Sequence, residues 1–81
     1  MTKMFEFKLA DVGEGLHEAQ VVEILVKPGD RVEEGQKVVV IETDKFTTDL
    51  TSPVSGVVEK VNVNPFDTAQ VGDTLMVIKN D

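Results

Sequence analysis

The chain repeats itself at a spacing of 37 residues. When residues 26–44 are laid over residues 63–81, seven of the nineteen positions are identical: Val26/Val63, Pro28/Pro65, Asp30/Asp67, Gly35/Gly72, Val40/Val77, Ile41/Ile78 and Asp44/Asp81. Just upstream, Val21-Val22-Glu23 matches Val57-Val58-Glu59 at a spacing of 36. Each half reads strand, proline turn, short polar stretch, glycine turn, strand. This self-similarity predicts two interlocked halves related by a pseudo-two-fold axis.

The residue types within each half favour strands. Fifteen valines and many threonines suit a pleated surface because their side chains branch at Cβ. No segment of helix length carries an apolar stripe at helical spacing. Short strands with frequent turns predict an all-β fold, a sandwich or flattened barrel of two antiparallel sheets. The predicted strands are residues 5–9, 21–26, 37–42, 46–51, 56–63 and 74–79.

Two proline turns occupy equivalent places in the halves. Residues 27–30 read Lys-Pro-Gly-Asp, which predicts a type II turn because Gly29 can take the positive φ that its third position needs. Residues 64–67 read Asn-Pro-Phe-Asp, with Phe66 where the glycine would be. A type I turn is therefore predicted there.

The size and charge of the chain exclude several classes of protein. Eighty-one residues predict one small domain, residues 1–81. The net charge of -7 argues against nucleic acids and anionic membrane surfaces as partners. There is no cysteine, hence no thiol chemistry from the protein. No signal peptide, transit peptide or membrane-spanning run is recognisable, and we expect a cytoplasmic protein.

Lys45 is the strongest candidate for chemistry. It follows the β-rich run Val38-Val39-Val40-Ile41 and precedes a threonine-rich run, which predicts the tip of a hairpin. The acids nearest to it in sequence, Glu42, Asp44 and Asp49, favour its protonated form, whereas an amine that is itself a nucleophile needs burial or a neighbouring cation. The pattern therefore favours a lysine that another enzyme modifies. The repeat predicts that Lys45 and the C-terminus lie at opposite ends of the domain.

Other polar residues suggest no second site. Gly13-Glu14-Gly15 lacks the third glycine of a nucleotide-binding loop, since Glu18 stands there, and no helix follows. His17 is the only histidine, so neither a metal set nor a catalytic triad with Ser52 or Ser55 is supported by spacing. No catalytic residue and no metal ligand is predicted.

These features together resemble a known family, the lipoyl domains of the 2-oxo acid dehydrogenase complexes. The resemblance runs from about residue 5 to residue 78 and is closest to the domain of the dihydrolipoyl acyltransferase component of pyruvate dehydrogenase. It is carried by Asp11-Val12-Gly13-Glu14-Gly15-Leu16, Val26-Lys27-Pro28-Gly29-Asp30, Glu42-Thr43-Asp44-Lys45, Ser52-Pro53 with Gly56, and Val71-Gly72. The chain differs in having Phe46-Thr47-Thr48 after the lysine, where small or apolar residues are common.

The resemblance implies a flattened barrel of two four-stranded sheets, the lipoyl/biotinyl hammerhead. It implies that Lys45 carries covalent lipoate on its side-chain nitrogen and that the loop of residues 13–18 helps a partner recognise the lipoyl hairpin. The domain would then be a monomeric carrier and not an enzyme, the N-terminal part of a larger chain. Its partners would be a thiamin-dependent decarboxylase, the acyltransferase core, dihydrolipoamide dehydrogenase and a lipoate-attaching enzyme, with no nucleic acid and no membrane.

Several alternatives stay open. A biotin carrier shares the fold, although its lysine usually lies between two methionines and Lys45 lies between Asp44 and Phe46. The glycine-cleavage carrier is also lipoylated but is typically longer. An unmodified acidic binding module is a third reading. The larger chain could be an acyltransferase or a dihydrolipoamide dehydrogenase with a fused lipoyl domain.

Overall fold

Every regular element of the described chain is a β-strand. The computed structural model describes residues 3–9 and 17–80. Within these residues the eight strands are β1 (Lys3–Lys8), β2 (Glu18–Ile24), β3 (Arg31–Val32), β4 (Lys37–Glu42), β5 (Thr47–Thr51), β6 (Gly56–Val61), β7 (Thr68–Gln70) and β8 (Thr74–Asn80). This part of the chain contains no helix that is long and apolar enough to cross a membrane.

The strands form two four-stranded sheets. One sheet has the order β1-β8-β6-β3 and the other the order β5-β4-β2-β7, and all pairings are antiparallel. The predicted fold class is therefore confirmed. The strands β3 and β7 were not predicted, because two or three residues are too short to show an alternating pattern.

The sequence repeat becomes a pseudo-two-fold axis. It relates β2 to β6, β3 to β7, β4 to β8 and β5 to β1, so that each sheet maps onto the other in order. The ladders also match in detail: the β2–β4 register shifts between Val21 and Glu23, and the β6–β8 register shifts between Val58 and Lys60. Val21 therefore corresponds to Val58. The spacing of 37 residues extends through this segment, where sequence comparison had suggested 36.

The core lies between the two sheets and is built from both halves. Its buried members are mostly valine, leucine and isoleucine, each of which stabilises the fold by about 1.5–3 kcal/mol when fully buried. The cluster comprises Leu9, Ala19, Val21, Val26, Val32, Val38, Val39, Ile41, Val58, Ala69, Leu75, Met76 and Ile78. The buried polar side chain is that of Ser52, 1% exposed, whose hydroxyl donates to the Val54 carbonyl at 2.6 Å.

The proline turns interlock the halves. The turn of residues 27–30 bonds to β6, where the Gly29 N–H donates to the Val58 carbonyl at 2.8 Å. The turn of residues 64–67 bonds to β2 in the same way, through the Phe66 N–H and the Val21 carbonyl. Each sheet therefore contains strands from both halves, and neither half can form its sheet without the other.

One turn differs from its prediction. Phe66 has φ 73°, the only positive value at a residue other than glycine in the described chain, and Gly29 has φ 95° in the equivalent turn. The type I prediction for residues 64–67 is wrong, because the third position of a type I turn has negative φ. The interlocking bonds to the opposite half impose the same backbone on both turns, whatever residue stands there.

Candidate functional site

A tight hairpin connects β4 to β5 and carries Lys45. Glu42 and Thr47 are cross-strand partners, and the four residues between them form the tip. The predicted hairpin is therefore confirmed. Because the strands behind it are paired on a packed sheet, the tip is held by a rigid support.

Thr43 organises this tip. Its hydroxyl oxygen accepts the backbone N–H groups of Lys45, at 3.2 Å, and Phe46, at 3.1 Å. The same hydroxyl donates to the Phe46 carbonyl at 3.2 Å, which also accepts the Thr43 N–H at 2.8 Å. The threonine thus fixes the backbone on both sides of Lys45. Sequence reasoning missed this role, although threonine hydroxyls that bond to nearby backbone are a recognisable turn signal.

The side chain of Lys45 is exposed and unengaged. None of the described residues bonds its ammonium group. The predicted acidic surroundings are present only in part. Glu42 and Asp44 flank the tip and are exposed, whereas the Asp49 carboxylate lies 3.1 Å from the Lys37 ammonium group. Lys45 is a primary amine that an approaching enzyme can reach from solvent.

An open groove of about 530 Å³ runs beside the hairpin tip. Its walls come from the start of β2, the end of β4 and the edge strand β7, and its lining is polar, with three carboxylates: His17, Glu18, Ala19, Gln20, Glu42, Thr43, Asp44 and Thr68. His17 therefore lies close to the Lys45 turn, which its sequence position did not suggest. The described residues that line the groove include no serine or cysteine beside this histidine.

Other candidate residues lie apart from Lys45. Ser52 and Ser55 belong to the β5–β6 connection, and the Ser55 hydroxyl donates to Glu33 at 3.2 Å. No group of three metal-ligating side chains occurs in residues 3–9 and 17–80. Gly13-Glu14-Gly15 lies outside the described residues, as does most of the loop expected to aid recognition.

The Lys45 tip and the two ends of the described chain lie at opposite ends of the domain. The twofold axis maps Thr43 to Asn80 and Phe46 to Lys3, and Lys3 and Asn80 are cross-strand partners. The strand β2 begins beside Glu42 and leads away from it to the turn that bonds Val58, close to the end of β8. The largest dimension of the domain is 39 Å. The predicted separation of Lys45 from the C-terminal end is therefore confirmed as far as Asn80, and Asp81 lies outside the described residues.

Comparison with known proteins adds to this geometry. Residues 5–78 match the model of the biotin/lipoyl family, which is described as "Biotin-requiring enzyme". The dihydrolipoyllysine-residue acetyltransferase components of pyruvate dehydrogenase complexes from Mycoplasma pneumoniae and Staphylococcus aureus are 48% and 45% identical over 90% and 91% of the chain. The chain spans only 18% and 17% of those relatives.

Solved structures show the same fold. The lipoyl domain of the 2-oxoglutarate dehydrogenase complex from Azotobacter vinelandii has a TM-score of 0.73 at 26% identity, with 94% of this chain and 95% of that chain covered. A single-chain, multi-domain long-chain acyl-CoA carboxylase has a TM-score of 0.81 at 23% identity, with 96% of this chain and 7% of that chain covered. At this low sequence identity, the similarity to the carboxylase concerns the fold alone.

Proposed function

The chain belongs to the biotin/lipoyl attachment family, and from this we propose that it is a lipoyl carrier with lipoate on Lys45. The observation that carries the proposal is the placement of one unengaged amine at a rigid hairpin tip, opposite the chain ends. The relatives named as dihydrolipoyllysine-residue acetyltransferases support lipoate as the attached group.

The residues at the tip fit this group. The amide forms between the Lys45 Nζ and the carboxyl of lipoate with loss of one water, and the attaching enzyme drives it with ATP. The protein contributes an accessible Nζ on a backbone that Thr43 holds in one conformation. When bound, the dithiolane would accept an acyl group together with two electrons and pass both on.

The position of Lys45 suits a carrier. An arm at one end and a tether at the other give the largest reach for a domain of this size. Tethering keeps the carried group at a high effective concentration near successive active sites. We propose that these sites belong to a thiamin-dependent pyruvate decarboxylase, an acyltransferase core and dihydrolipoamide dehydrogenase. The chain would be one domain of an acyltransferase, since its relatives are about five times longer.

The family includes biotin carriers, and two observations favour lipoate. The relatives with 48% and 45% identity are named as dihydrolipoyllysine-residue acetyltransferase components. Lys45 also lacks the flanking methionines of a biotin site.

Intact mass before and after reaction with a lipoate ligase tests the proposal. We expect one lipoyl-sized gain, and a more acidic species because acylation changes the net charge from -7 to -8. Lys45→Arg should abolish the gain, and Lys79→Arg, at the opposite end, should not. Absence of the gain, its survival in Lys45→Arg, or an avidin-reactive product from cells would refute the assignment.

A further inference from the structure

Phe66 is an aromatic residue whose position folding does not explain. Phe66 is 73% exposed, the most exposed of the large hydrophobic residues in the described chain. Its φ of 73° lies in the left-handed region, which a bulky side chain disfavours. The residue therefore contributes little to the core and imposes strain on its turn.

The other half of the domain shows what this turn needs. Residues 27–30 and residues 64–67 make the same local bonds, with carboxylate-to-N–H distances of 3.0 Å and 2.8 Å across the two turns. At the third position, the first turn has Gly29 and the second has Phe66. A glycine at the third position is enough to form this turn. The phenyl ring of Phe66 is therefore not needed for the backbone conformation and requires another explanation. Exposed apolar side chains also occur on β1, at Met4 and Phe5, but both have the extended backbone of a strand.

Phe66 belongs to the second half in sequence but lies toward the Lys45 end of the domain. Its N–H donates to the Val21 carbonyl, and its own carbonyl accepts the Gln20 side chain at 3.4 Å. Gln20 is the cross-strand partner of Glu42 and lines the groove beside the hairpin tip. Phe66 therefore lies next to a residue that lines the groove beside the Lys45 hairpin tip. A second exposed aromatic residue, Phe46, follows Lys45 directly in the sequence and is 36% exposed.

Charge is distributed unequally between the two ends. The twofold axis places four cations at the end with the chain termini: Lys3, Lys27, Arg31 and Lys79. The equivalent residues at the Lys45 end are Phe46, Asn64, Thr68 and Glu42. Glu18, Asp44 and Asp67 are also exposed there. Among described residues 17–21, 41–48 and 64–70, Lys45 is the only lysine or arginine, and acylation removes its charge.

We propose that Phe66 is the anchor by which the thiamin-dependent decarboxylase binds this domain, in an apolar pocket with a basic rim. The inference rests on the proposed lipoyl function. Anchors of this kind are aromatic, lie within a ring of weaker polar contacts and supply much of the binding free energy. The acidic surroundings of Phe66 complement a basic rim and increase the rate of encounter.

Reductive acylation of the lipoylated chain by the pyruvate decarboxylase of the same cells tests the anchor. Phe66→Gly removes the ring and keeps the turn, so the variant should fold. We expect its KM to rise about tenfold, the effect of losing one anchor contact, with kcat unchanged at saturation. Phe66→Tyr keeps an aromatic ring, and its KM should be within twofold of the parent chain's value. The matched control Gly29→Phe places the same ring on the other end and should leave KM unchanged.

The salt dependence of KM distinguishes the contribution of the Phe66 ring from that of the surrounding acidic residues. The KM ratio between Phe66→Gly and the parent chain should be equal at low and high salt, because an apolar contact is not screened. Equal KM values for Phe66→Gly and the parent would refute the anchor while leaving lipoylation intact. A defect confined to lipoate attachment would refute it too, because the ring would then serve the attaching enzyme. Failure of the parent chain to be lipoylated would instead refute the proposed function.

Discussion

Gly56 lies where two backbones approach too closely for any side chain. It is the first residue of β6, is buried, and pairs with Val32 on one side and Asn80 on the other. A Cβ at this position would lie 2.2 Å from the carbonyl oxygen of Lys79 and 2.9 Å from its carbonyl carbon. Both atoms belong to backbone, so no rotation of a side chain can relieve the overlap.

Gly56→Ala should therefore displace the end of β8. Overpacking of this kind typically costs about 1–3 kcal/mol, and we expect the upper end because the opposing atoms are rigid. A domain of this length has a free energy of unfolding of roughly 4–12 kcal/mol, so the loss is a large fraction. With a urea m value of about 1–1.5 kcal/mol/M, the unfolding midpoint should fall by roughly 2–3 M.

One control variant separates close approach from backbone strain. Gly29→Ala meets no atom within 4 Å but keeps a φ of 95°, and should cost about 1–2 kcal/mol. Ala19 is the residue equivalent to Gly56 in the other half. The β2–β4 ladder begins one residue after Ala19, at Gln20 and Glu42, and so a Cβ is tolerated at this position. A midpoint for Gly56→Ala at or above that of Gly29→Ala would refute the reasoning.

Three further predictions concern the Lys45 end. Phe66→Gly should unfold at a urea midpoint no lower than that of the parent. Relief of about 1–2 kcal/mol of left-handed strain offsets the lost contacts and the larger conformational entropy that glycine loses on folding. Gly29→Phe should be less stable than the parent. Thr43→Val should lower the initial rate of lipoate attachment, measured by mass, and destabilise the chain by about 1 kcal/mol; an unchanged rate would show that these bonds do not matter. Asp44→Asn should raise the KM of reductive acylation at low salt but not at high salt, and Asp49→Asn, whose carboxylate pairs with Lys37, should not.

Much of this fold is predictable because its two halves repeat the same physical pattern. The bounds of β4 coincide with the predicted residues 37–42, where a valine-rich run is flanked by polar residues. The repeat also predicted the placement of Lys45 opposite the C-terminus. Both conclusions follow from patterns that extend over many residues.

Features that depend on a few long-range bonds were not predictable from the sequence. Residues of β3 and β7 are strands only because β6 and β2 lie beside them. Phe66 takes positive φ because bonds to β2 impose it, against the preference of its own side chain. The groove next to Lys45 arises from three strands that are distant in sequence. Local preference is overruled in each case by pairing with the other half.

The paired ends of the described chain have a consequence for its connectivity. Lys3 and Asn80 are cross-strand partners, and the equivalent residues in the other half, Phe46 and Thr43, are joined by only two residues. A two-residue bridge from Asn80 to Lys3 would close the backbone into a ring without breaking a rung of either sheet. The ring could then be reopened at an exposed turn to give a circular permutant. With Asp-Lys as the bridge, the permutant would present a lysine turn at each end and become a carrier with two arms pointing in opposite directions.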